Sequence, residues 1–71
     1  MMDFRVQIYR DVGGKPSPLD PPETVTAETA KAAAEQMTGG TLLETGPHGK
    51  LAATVWLKGA LNPKKTPFYR Q

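Results

Sequence analysis

"DFRVQIYR", residues 3 to 10, alternates strictly: Phe4, Val6 and Ile8 fall on one side, and Arg5, Gln7 and Tyr9 on the other. Successive side chains of an extended chain point to opposite faces, so a period of two marks a strand with one face buried and one face in water. The pattern returns in "KLAATVWLK", residues 50 to 58. There Leu51, Ala53, Val55 and Leu57 alternate with Ala52, Thr54, Trp56 and Lys58. Two half-buried strands need something to cover their apolar faces, and the segment between them supplies it.

That segment is "TAETAKAAAEQM", residues 26 to 37, rich in alanine, the strongest helix former. Thr26 is the expected N-cap, Glu28 falls in the first turn, and Gly39-Gly40 ends the helix. Ala27, Ala30, Ala34 and Met37 recur on one helical face, which small side chains allow to lie close to a sheet. Glu28, Lys31 and Glu35 form a charged stripe opposite. After the helix, "TLLET" (residues 41 to 45) and "KLAATVWLK" flank "GPHG", which reads as a β-hairpin. The expected fold is α+β: a three-stranded antiparallel sheet in element order β-α-β-β, with one helix on one face. The strand from 50 to 58 lies between the first strand and "TLLET". The β-branched Thr24–Thr26 would make a fourth strand beside the first.

Two stretches resist this scheme. Residues 11–23 hold two glycines and four prolines, the composition of a stiff, partly extended loop. Within it Lys15, Pro18 and Pro21 match the spacing of polyproline ligands, a pattern that a proline-rich linker also produces. The tail "NPKKTPFYRQ", residues 62–71, carries Pro63 and Pro67, which cannot donate to a ladder, so a mobile basic tail is expected. The 71 residues read as one domain.

Size and composition restrict function. A chain this short buries only about 60% of its unfolded surface, and 38% hydrophobic residues make a thin core. No cysteine is present, which removes disulfides and thiolate metal sites and leaves self-association as the remaining aid to stability. The N-terminus carries no signal-peptide pattern, and no apolar stretch approaches the ~20 residues of a membrane span. A cytoplasmic protein with no membrane partner is the expectation.

Catalytic chemistry finds few materials. Ser17 sits among prolines and His48, the single histidine, in a turn, so neither suits a nucleophile–base arrangement. One histidine without cysteine falls short of a zinc site. Glu28 and Glu35 read as solvated helix residues. Gly13-Gly14 precede prolines and Gly39-Gly40 follow the helix, so no phosphate-cradling loop forms. No enzyme, metal, cofactor or small-molecule ligand is expected.

What remains is a surface. If the helix covers Phe4, Val6, Ile8, Val55 and Leu57, the other face shows Arg5, Gln7, Tyr9, Thr54 and Trp56. Lys58, Lys64, Lys65 and Arg70 lie in the last fourteen residues. Arg5, Tyr9, Trp56, Lys58, Lys64, Lys65 and Arg70 are therefore the candidate binding residues. Trp, Tyr and Arg anchor protein interfaces, and aromatics beside cations also stack single-stranded bases. A net charge of only +2 barely favours nucleic acid, and a thin core gains most by covering its open face with another protein, a second copy included, so protein partners are expected, with single-stranded nucleic acid as the alternative. The expectation is a small non-catalytic binding module acting through its open sheet face.

Overall fold

The computed structural model describes all 71 residues, Met1–Gln71. It contains one helix and a five-stranded antiparallel sheet, an α+β fold. The strands are β1 (Met2–Val12), β2 (Lys15–Pro18), β3 (Glu23–Ala27), β4 (Leu51–Leu57) and β5 (Thr66–Tyr69), and the helix is α1 (Ala30–Thr38). Across the sheet the order is β2-β1-β4-β5, with β3 continuing the β2 side of β1.

β1 extends well beyond the alternating stretch because its hairpin partner lies in the proline-rich segment. Gly13 and Gly14 have φ of 61° and 81° between the paired residues Val12 and Lys15. A two-residue turn with both φ positive matches the right-handed twist of its flanking strands, and glycine adopts it without a Cβ penalty. The Gly14 N–H also donates to Asp11 Oδ1 at 2.8 Å. Residues 11–23 are thus not simply a loop: Lys15–Pro18 pairs with Tyr9–Val12, and Glu23–Ala27 pairs with Met2–Val6. Between them the four residues 19–22 stand opposite only Gln7 and Ile8. The prolines at 21 and 22 lack donors, and the Gln7 side chain crosses to the bulging chain, where Nε2 donates to Asp20 O at 2.6 Å. Leu19 N donates to Ile8 O at 3.0 Å.

β3 takes Thr26 and Ala27 from the expected helix. The N-cap is Thr29, in extended geometry, with its hydroxyl oxygen accepting from Ala32 N at 3.0 Å. Thr26 instead donates across the sheet to Asp3 Oδ1 at 2.7 Å. Both threonines can cap a helix, and pairing of Met2–Val6 with β3 claims the earlier one. The buried helical face is Ala33 and Ala34, with Ala30 and Met37 packed beside them; Ala27 is buried from β3. Gly39 caps the C-terminus through its N–H to Glu35 O at 2.8 Å. Glu35 is not only a solvated residue, because its Oε2 accepts from Leu42 N at 2.9 Å and anchors the chain leaving the helix.

The C-terminal half departs most from expectation. β4 pairs with β1 in the register Phe4↔Leu57, Val6↔Val55, Ile8↔Ala53, as its alternation requires. Its other neighbour is β5, not "TLLET". The tail supplies this strand through Phe68, which is 3% exposed and belongs to the core. Pro67 is tolerated because of its orientation. Tyr69 exchanges both backbone bonds with Leu43 at 2.8 Å, away from β4, and Pro67, two residues earlier, turns its missing N–H to the same outer side. "TLLET" is reduced to that one bridge and to buried Leu42.

A one-residue register shift between Leu51 and Ala53 puts Leu51 opposite Tyr69 and Ala53 opposite Phe68. Leu51 is therefore turned to the face away from the helix, and it is buried yet outside the main cluster. Residues 44–50 run beside its cross-strand partner Tyr69 and the β1–β2 turn. Gly46 packs so closely on Tyr69 that a Cβ would lie 3.0 Å from the Tyr69 Cβ, and a Cβ on Gly49 would lie 2.9 Å from Gly14 O. The main core is Phe4, Val6, Ala27, Ala33, Ala34, Leu42, Ala52, Ala53, Val55 and Phe68. Nine helical residues reach about 14 Å, whereas the eleven of β1 reach about 36 Å. The helix therefore covers only part of its face. It is too short to cross a membrane.

Candidate functional site

The face opposite the helix is built from rungs of cross-strand neighbours. Thr24, Arg5 and Trp56 form one rung, with Arg5 paired to both others. The Arg5 guanidinium donates to Thr24 Oγ1 at 3.2 Å, which holds the arginine flat along the sheet. Trp56 is half-buried, and the Lys65 ammonium stands 4.6 Å from its ring centroid. This is within the ~6 Å at which a cation is attracted by the negative face of an indole. Lys65 reaches that position because β5 begins at the next residue, fixing the chain beside β4.

Lys58 follows Trp56 by two residues, and its N–H donates to Asp3 O at 3.1 Å. Lys64 is exposed next to Lys65. Arg5, Trp56, Lys58, Lys64 and Lys65 thus gather at one end of the open face, with Asp3, bonded to Thr26, as the acidic neighbour in the next rung.

Tyr9 and Arg70 lie elsewhere. Tyr9 is half-buried opposite Pro18, four residues along β1 from Arg5, or about 13 Å at strand rise. Arg70 is a clasp: its guanidinium donates to Leu51 O at 3.1 Å and Tyr9 O at 2.5 Å, while its N–H donates to Lys50 O at 2.8 Å. It sits where the β1–β4 ladder ends and supplies donors to carbonyls that have lost strand partners. The seven candidate residues therefore form one cluster of five and two outlying positions.

Between the cluster and the Leu51–Tyr69 end lies the rung Gln7, Thr54, Pro67. Thr54 Oγ1 is buried without a hydrogen-bond partner. Its cross-strand neighbours offer it no donor: Gln7 Nε2 is committed to the Asp20 and Ile8 carbonyls, and the Pro67 side chain carries no polar atom. His48 is exposed at the start of a 3-10 turn (His48–Lys50), and no three His, Cys, Asp or Glu side chains come together.

No protein-family model, curated protein or solved structure matches this chain. Function must therefore be argued from the site. Parity in "DFRVQIYR" and "KLAATVWLK" suffices to put Arg5 and Trp56 on one face. It does not foresee Lys65 over the indole, which needs the tail to be a strand. Sequence reasoning set Arg10 beside Arg5 on the outward face and left out Leu19; Arg10 shares the parity of Ile8, not of Arg5, and belongs to the helix face, where it lines a cleft with Ile8 and Met37.

Proposed function

We propose that this chain is a non-catalytic binding module that docks a partner protein on the Arg5–Trp56–Lys65 end of its open sheet face. The observation that supports this reading best is the Lys65 ammonium 4.6 Å above Trp56, with Arg5 in register beside it and Lys58 and Lys64 nearby. A large aromatic ringed by cations offers the two ingredients of an interface anchor: apolar area that gains by desolvation and charge that selects the partner. The sign of that charge bears on the partner. Two copies meeting through this end would bring like charges together, so an acidic surface on a different protein fits better than a second copy.

Single-stranded nucleic acid is the second reading, since the same cations would meet phosphates and the indole would meet a base. Lys65 weakens it. A base stacking on that side of the ring would have to displace the ammonium already there.

Trp56 is the only tryptophan, so its emission reports the site directly. Titration with poly-L-glutamate, an acidic polypeptide probe, is expected to saturate a Trp56 signal, and Arg5→Glu with Lys65→Glu is expected to weaken binding at least tenfold. Stronger binding of a random single-stranded 20-mer, with a steep loss between low and moderate salt, would transfer the site to nucleic acid. Response to neither probe, with a concentration-dependent dimer in sedimentation that Trp56→Ala abolishes, would transfer it to self-association.

A further inference from the structure

The shortness of α1 has a second consequence on the opposite side of the sheet. Where the helix stops, a cleft of about 480 Å³ opens between its C-terminal turn and the far half of β1. Small-molecule sites commonly occupy ~300–1,000 Å³ with an apolar lining and few polar groups. Ile8, Leu19, Met37 and Leu42 supply the apolar lining, and Arg10 and Arg70 supply charge. No aspartate or glutamate side chain lines it, in a chain with nine basic and seven acidic residues.

The arrangement is directional. Arg70 is half-buried and fixed by its bonds to Leu51 O and Tyr9 O, which engage two of the five N–H donors of a guanidinium. Arg10 is exposed one residue beyond Tyr9. On the other side of Ile8 and Met37 a smaller hollow of about 30 Å³ is lined by Asp20 and Glu23. A carboxylate would be attracted to the arginine end and repelled from the acidic end, while an aliphatic chain would replace water over Leu19, which is 47% exposed.

We infer that this cleft binds a small amphipathic carboxylate, with its headgroup at Arg10 and Arg70 and its aliphatic body on Ile8, Leu19, Met37 and Leu42. The site is separate from the Trp56 face, so either assignment can fail without the other. Met37 suits such a role, because an unbranched, polarizable side chain adapts to ligands of different shape.

Decanoate, below its micelle-forming concentration, is the probe, followed through backbone amide chemical shifts of the full chain. Saturable shifts are expected at Ile8, Arg10, Leu19, Met37 and Leu42, with Trp56 unmoved. Arg10→Gln is expected to weaken binding about tenfold, the loss of one charge-assisted contact. Leu19→Glu, which sets a carboxylate beside the ligand's path at an exposed position, is expected to weaken it by at least as much. Decanol, which keeps the chain and lacks the charge, is expected to bind more weakly than decanoate. Absence of shifts at millimolar decanoate, equal affinity for decanol, or an unchanged affinity in Arg10→Gln would each overturn the assignment.

Discussion

Two adjacent rungs of the β1–β4 ladder, Val6↔Val55 and Arg5↔Trp56, share strands and antiparallel pairing and differ by one residue of register. The first pair is 1% exposed at both positions and lies under the helix. The second is half-buried on the other face, with a lysine over its indole and a threonine hydroxyl accepting from its guanidinium. Backbone geometry does not explain the contrast, because adjacent antiparallel rungs merely alternate between hydrogen-bonded and non-hydrogen-bonded pairs, and neither kind dictates burial. What differs is the covering layer: an alanine-faced helix seals one side, whereas residues 44–50 reach only the Leu51–Tyr69 end of the other. Burial is concentrated on the helix face, and the Trp56 end of the other face stays only half-covered.

The hardest test of this division is Phe68→Ala. If the tail is a working part of the helix-face core, the loss should be about 3–5 kcal/mol, most of the stability of a domain this size, read from the urea midpoint. A loss under about 1 kcal/mol would return the last residues to the status of a loose end and remove the reason Lys65 stands over Trp56.

Ala34→Leu probes the covering layer itself. Ala34 is 0% exposed against the sheet, so the added carbons should cost about 1–3 kcal/mol by overpacking, while Lys31→Ala stays within about 0.5 kcal/mol. Equal thermal midpoints for the two variants would show that the helix does not press on the sheet through this residue.

The smallest effect is expected on the other face and has the opposite sign. Thr54→Val keeps the shape and removes the unpartnered hydroxyl, so stability should rise by about 1 kcal/mol. A decrease would mean that Oγ1 has a partner in solution and that the middle of this face is wetter than its packing suggests.

How far the fold was legible follows the range of the signals. Both long alternating strands, the shared face of Arg5 and Trp56, the alanine side of the helix and the Gly13-Gly14 turn are local, and each could be read where it stands. The candidate site was legible in its central rung and in its cations. The placement of Tyr9 and Arg70 was not, because the bulge of 19–22 and the clasp at the end of the ladder are nowhere marked by periodicity.

By itself the sequence determined that this protein has two strands with one buried face each and one small-faced helix between them. Periodicity and propensity act over neighbouring residues and need no partner. Only the tertiary structure decided which segment fills the place beside β4. "TLLET" has the stronger local pattern, but Leu42 is drawn to Glu35 at the end of the helix, and of the two segments only the tail brings an aromatic ring, Phe68, to the core beside β4. Proline opposes a strand only where its N–H is needed, and that depends on which edge faces outward. At Pro67 the side that lacks a donor is the side that needs none, so burial of Phe68 overrides local propensity.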